Sequence, residues 1–234
     1  MTFQQEFHSW FSPPPSTNLS SSSPSIGSPA PNPTQLSLQP NKRTILAFLR
    51  HCGCPFAEKT YIRLREAAKI HRDIDFIAIS HSSKSHTETW KKSLPQYGTE
   101  PENLRVIVDE GREIYGAYGK MNSMIWSCAP LALFFGFIPA FCSPLTFSLF
   151  CSLTLPSPGL GTSSWMHVLS PASMYNVFNL ASKEGIKNRP TESGSRWQQG
   201  GYWGIGQDGK VKWGRAAERA DDVPDFEEGV RAVG

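Results

Sequence analysis

The chain has 234 residues, and 23 Lys and Arg against 20 Asp and Glu give it a net charge of +3. That length suits one domain with appendages, and the scattered basic residues exclude the charged stripe of a nucleic-acid binder. Five cysteines, Cys52, Cys54, Cys128, Cys142 and Cys151, are not the even framework of a small secreted domain, so a reducing compartment is expected. The first residues lack the charged start and apolar core of a secretory signal and the Arg of a transit peptide, so the expected location is cytoplasmic.

Residues 1–41 carry one charged side chain, Glu6, and Ser and Pro fill 17 of the 30 positions from Ser12 to Asn41. Such a stretch buries too little apolar surface to offset the entropy of ordering it, so a disordered tail is expected. Thr44–Leu49 is an apolar run that reads as a buried strand. The turn-like Arg50-His51-Cys52-Gly53 follows, then Cys54-Pro55 and a helix over about 56–70, with Ala57, Tyr61, Leu64 and Ala68 on one face. Phe76–Ser80 is a second strand, and Ser82 or Ser83 caps a helix over 84–94. Leu104–Val108 is a third strand, and Glu113–Tyr118 a short helix.

From Met121 to Ser182 there is no Asp, Glu, Lys or Arg. Within it, residues 125–155 are long and apolar enough to span a bilayer, although Pro130, Pro139 and Pro144 interrupt them. After it, 171–184 reads as a helix with Gly185 as its C-cap, and Asn188–Gln199 as a polar loop. Gly200–Ile205 and Val211–Arg215 read as a hairpin turning at Asp208-Gly209, and Asp221, Asp222 and Pro224 open a last helix through Val230. Strands alternating with helices predict an α/β domain whose mostly parallel sheet is covered on both faces.

Cys54 falls where a strand end, a loop and a helix start coincide. Pro55 suits the first helical position, where no N–H donor is needed. The positive end of a helix dipole stabilises a thiolate there, and Arg50 and His51 are placed to push the same way. The alternative is an inert buried cysteine. His81 and His86 do not share a helical face and read as surface residues; His51, Cys52 and Cys54 lack the second ligand pair of a closed zinc site, so no metal or cofactor is expected.

Strand, then Arg50-His51-Cys52-Gly53-Cys54-Pro55-Phe56-Ala57-Glu58-Lys59, then helix, resembles the thioredoxin-like fold and, more narrowly, the peroxiredoxin-like AhpC/TSA antioxidant-domain proteins. The resemblance continues through 75–80, 104–109, 188–199 and 200–215. It implies a mixed sheet flanked by helices, with a disordered N-terminal tail and an apolar insertion. It implies a thiol-dependent antioxidant or redox protein that reduces peroxides or protein disulfides through Cys54, with a thiol reductant such as thioredoxin or glutathione. Family members with a C-x-x-C pattern place a second cysteine where this chain has Ala57. Cys52 is then either the thiol that resolves a Cys54 sulfenic acid through a small strained ring or a chance loop substitution. Arg196 completes an anion-friendly pocket or makes a surface ion pair. The segment before the fourth strand often carries a cis-proline in such folds, whereas this chain has Gln199-Gly200-Gly201.

In the resembled family, Tyr118-Gly119 runs almost directly into Leu160-Gly161. The implied domain is therefore 42–119 with 159–234, and 120–158 is an insertion, read as a retained intron, a membrane segment or a core insertion. The function readings that stay open are a thiol peroxidase or reductase, a non-catalytic thioredoxin-like binding module, and a membrane-anchored form of either.

Overall fold

β1 (Thr44–Phe48) is buried along its whole length, and β2 (Asp75–Ser80) is buried from Phe76 onward. Strands that are apolar on both faces need cover on both, and the chain supplies it. The computed structural model describes residues 23–119, 171–187, 189 and 193–234. β3 (Leu104–Val108), β4 (Gly201–Ile205) and β5 (Val211–Ala216) complete a five-stranded sheet in the order β3-β2-β1-β4-β5. β1, β2 and β3 run parallel; β4 is antiparallel to β1, and β5 to β4.

One face of β1 presents Ile45, Ala47 and Leu49 to α1 (Pro55–Ile70), α2 (Lys84–Ser93) and α5 (Phe226–Val233), whose Tyr61, Leu64, Trp90, Phe226 and Val230 fill that core. The other face presents Leu46 and Phe48, packed with Ile77, Ile79, Trp203 and the α3 (Glu113–Tyr118) residues Ile114, Tyr115 and Tyr118. α4 (Pro171–Asn179) runs into a π-helical turn, Leu180–Glu184, that ends at Gly185 with φ of 70°. This is the mixed sheet flanked by helices of a thioredoxin-like fold.

The tail expected over 1–41 is divided. Residues 1–22 lie outside the described residues, while 23–41 pack on the second face, with Leu36 fully buried. Pro29 bridges Lys210, Gly27 N–H donates to Val211 O (2.7 Å), and the Tyr118 hydroxyl donates to Pro31 O (2.9 Å). Leu36, with Ala30 and Leu38 beside it, joins the core formed by Leu46, Ile77, Trp203 and α3, and that gives a weakly apolar segment something to bury against. The last helix also begins later than expected, at Phe226 with Asp225 as its cap. Asp221 and Asp222 are engaged instead with Arg219 and Arg215, in the turn before it. Among the described residues no helix is long and apolar enough to cross a membrane; the 125–155 stretch lies outside them.

Candidate active site

The Arg50–Cys54 loop leaves the end of β1, where Leu49 N–H still donates to Ile79 O (2.9 Å). It bends at Gly53, with φ of 109°, and closes through Cys54 N–H to His51 O (3.1 Å). Cys54 is the N-cap of α1 and Pro55 stands at the helix start; the Cys54 carbonyl accepts from Glu58 N–H (3.2 Å), and its side chain makes no capping bond. The thiol is therefore carried at the positive end of a 16-residue helix without being spent on capping it. Cys54 is buried, at 6% exposure.

Two buried arginines meet at this loop. Arg50 Nη2 donates to the Arg196 carbonyl (2.9 Å), while among the described residues its Nε and Nη1 have no hydrogen-bond partner and no carboxylate pairs with it. Arg50 also lines a small pocket of about 20 Å³ with Phe56, Gly200, Tyr202 and Pro224. His51 is close enough to both arginines and to His81 to feel their charge. Burial first, then Arg196, Arg50 and His81, hold its ring well below the ordinary 6.5, so it is neutral and adds no positive charge beside Cys54. That corrects the expectation that His51 acts as a second cation. His81 is buried, not on the surface: it closes the loop's floor, accepts from Ser195 N–H (3.0 Å), and is pushed down to about 3 by burial and by Arg112.

Cys52 points elsewhere. Its Sγ lies 3.4 Å from Ser80 Oγ and 3.9 Å from Thr87 Oγ1, and its N–H donates to Ser82 Oγ (3.4 Å). The segment 193–200 lies across the same floor. Gly194 approaches so closely that a Cβ would fall 2.6 Å from Ser82 Oγ, and a Cβ on Gly200 would fall 2.8 Å from Phe48 O. No described peptide bond is cis. Among the described residues no three His, Cys, Asp or Glu side chains converge as a metal site would require.

Three residues escaped the sequence reading. Arg189 N–H donates to Gly53 O (2.9 Å), and its side chain pairs with Glu58, which is 2% exposed in the first turn of α1 (2.8 and 3.2 Å). Tyr115 donates from its hydroxyl to the carbonyls of Leu49 and Ile79, at the ends of β1 and β2. Glu58 is legible only as a helix-dipole acid, and no local pattern announces its partner 131 positions later.

Residues 63–219 match the family model described as AhpC/TSA antioxidant enzyme, beginning within α1 and after Cys54. No curated protein sequence matches the chain. Among solved structures, a cysteine mutant of the peroxiredoxin 6 of Arenicola marina is 15% identical, with a TM-score of 0.40, covering 83% of this chain and 60% of its own. The chain thus spans less than two thirds of that relative's length. A yeast mitochondrial 1-Cys peroxiredoxin, solved for its thiol-resolving mechanism via glutathione and thioredoxin systems, is 12% identical with a TM-score of 0.42, covering 89% and 74%. BsSco, a member of the Sco family of cytochrome c oxidase assembly proteins, is 12% identical with a TM-score of 0.35, covering 83% and 79%. The family match extends over more than half of the sequence, and the chain belongs to the AhpC/TSA antioxidant enzyme family.

Proposed function

We propose that the chain is a peroxiredoxin-like thiol peroxidase with Cys54 as its nucleophile. The observation that carries this reading is Cys54 standing as the N-cap of α1, ahead of Pro55 and four residues after the buried Arg50. In the proposed reaction the Cys54 thiolate attacks one oxygen of a hydroperoxide. A sulfur–oxygen bond forms, the O–O bond breaks, and the leaving oxygen takes a proton and departs as water or an alcohol. Arg50, with two nitrogens unpartnered among the described residues, and the first amides of α1 offset the negative charge on sulfur and on the departing oxygen. Pro55 keeps the helix start rigid, and Arg196 holds Arg50 through its carbonyl. A thiol reductant, thioredoxin or glutathione, then attacks the sulfenic acid, releasing water, and a second thiol frees Cys54 by forming an external disulfide. Free Cys52 and Cys54 suit a reducing compartment such as the cytoplasm.

Steady-state peroxide consumption tests this. Wild type should consume hydrogen peroxide with a thioredoxin system or glutathione, and Cys54→Ser should lose about a thousandfold or more, since serine is a far weaker nucleophile at neutral pH. Equal consumption by the two proteins would leave only the non-catalytic binding module.

The same reading takes 42–119 and 159–234 as the catalytic unit and 120–158 as an insertion with no part in it. β1 to β3 come from the first piece and β4, β5 and α5 from the second, so one sheet already needs both. A variant joining Gly119 to Leu160 should fold, with a urea midpoint at least as high as that of the full chain. Unfolding of that variant would assign the segment to the core, and carbonate-resistant membrane association of the full chain would assign it to an anchor.

A further inference from the structure

Cys52 sits in a chain of hydroxyl groups whose hydrogen bonds run one way. Thr87 Oγ1 donates to Ser82 O (3.3 Å), so it accepts from Ser80 Oγ, 3.0 Å away. Ser80 has then used its only hydrogen, and the Cys52 thiol donates its own hydrogen to Thr87 Oγ1 (3.9 Å) or to Ser80 Oγ (3.4 Å). Ser82 N–H also donates to Ser80 Oγ (3.3 Å), and Ser82 Oγ donates to Ser193 O (3.3 Å). Every member is buried within this network, at 2% exposure or less for Cys52, Ser80, Ser82 and Thr87. One residue of the Cys54 loop is thus fastened twice, by thiol and by backbone N–H, to the junction of β2 and α2.

We infer that Cys52 is a positioning residue, which holds the Cys54 loop on the β2–α2 junction and forms no disulfide with Cys54 during turnover. This rests on the thiol-peroxidase reading of Cys54. An attack on a Cys54 sulfenic acid requires a thiolate, and the direction of the hydroxyl chain keeps Cys52 as a protonated donor. Leaving the network would also cost the buried Cys52 its thiol and backbone hydrogen bonds to the β2–α2 junction. The loop carries Cys54 only two residues further on, so slack at Cys52 displaces the thiol from the helix start and from Arg50. The thiol that resolves Cys54 is consequently external to the loop.

Two readouts on the full-length protein test this, both followed peptide by peptide by mass spectrometry so that the other cysteines do not interfere. The first is the rate of Cys54 alkylation by iodoacetamide near neutral pH, together with its pH profile. Cys52→Ser, which keeps a donor, should retain the wild-type rate within about twofold. Cys52→Val should slow it about tenfold and move the profile to higher pH, and Ser80→Ala, which breaks the same network from β2, should do likewise. The second is the product formed with one equivalent of hydrogen peroxide. Wild type should hold a Cys54 sulfenic acid that dimedone traps, with no Cys52–Cys54 disulfide. A disulfide that Cys52→Ser abolishes would overturn the inference, as would wild-type alkylation in both Cys52→Val and Ser80→Ala. Alkylation needs no peroxidase activity, so a Cys54 that ignores peroxide but still responds to Cys52 and Ser80 would defeat the peroxidase reading and leave the positioning role standing.

Discussion

Trp203→Ala should destabilise the domain by about 3–5 kcal/mol. Trp203 is fully buried on β4 and packs edge-on to Phe48 of β1 (centroids 5.2 Å) and to Tyr118 of α3 (5.1 Å). Phe48 in turn meets Tyr115 at 5.1 Å, so the four rings tie the central strand to β4 and to α3. Removing the indole opens a cavity in a close-packed core, and the edge-to-face contacts with Phe48 and Tyr118 go with it. Urea unfolding of wild type and variant measures the effect. Ile70→Ala is the control, because Ile70 is 70% exposed at the end of α1 and should change stability by about 0.5 kcal/mol or less. A Trp203→Ala protein as stable as that control would mean that this face is not packed as described.

A second large effect is expected on acidification. His51 and His81 are held neutral in the fold, below the ordinary 6.5, and His81 lies at about 3. In the unfolded chain each ring takes up a proton below pH 6.5. The unfolded state therefore binds more protons, and stability present in full above pH 6.5 falls as the pH drops toward 3. The slope is up to about 1.4 kcal/mol per pH unit for each ring. Asp109 works the other way: burial raises its carboxyl, so the fold keeps its proton longer as pH rises, which offsets a part of the loss in the carboxylate range. Urea midpoints measured between pH 7.5 and 5 should fall steadily. The double variant His51→Gln, His81→Gln should show a flatter profile, and an unchanged slope would place both rings in water.

The sheet was legible because its strands are short apolar runs between turn residues. β3, α3, the Gly185 cap and the Asp208-Gly209 turn stand where the sequence puts them. Local signals of that kind act within a few residues. The placement of 23–41 was not legible, since composition describes what a segment can bury alone and not the face it meets. Leu36 is buried because the sheet offers a place for it. Cys54 was found by local logic, strand end plus helix start. Its surroundings were not: from spacing alone Cys52 reads either as a partner for Cys54 or as a chance loop substitution, and no local pattern shows that its thiol meets Ser80 and Thr87 from two other elements. His81 reads as polar and therefore external, and only the crossing of 193–200 over the loop makes it internal. Arg189 and Glu58 illustrate the same limit, because an ion pair between distant segments leaves no periodic trace.

The central claim is that Cys54 is the nucleophile, and a single-turnover oxidation tests it most directly. Reduced full-length protein is mixed with one equivalent of hydrogen peroxide and dimedone, digested, and mapped by mass spectrometry. The account predicts a dimedone adduct on the Cys54 peptide, formed faster than on any other cysteine and absent from Cys54→Ser. Adducts confined to Cys128, Cys142 or Cys151, or a Cys54 that stays reduced while peroxide disappears, would contradict it.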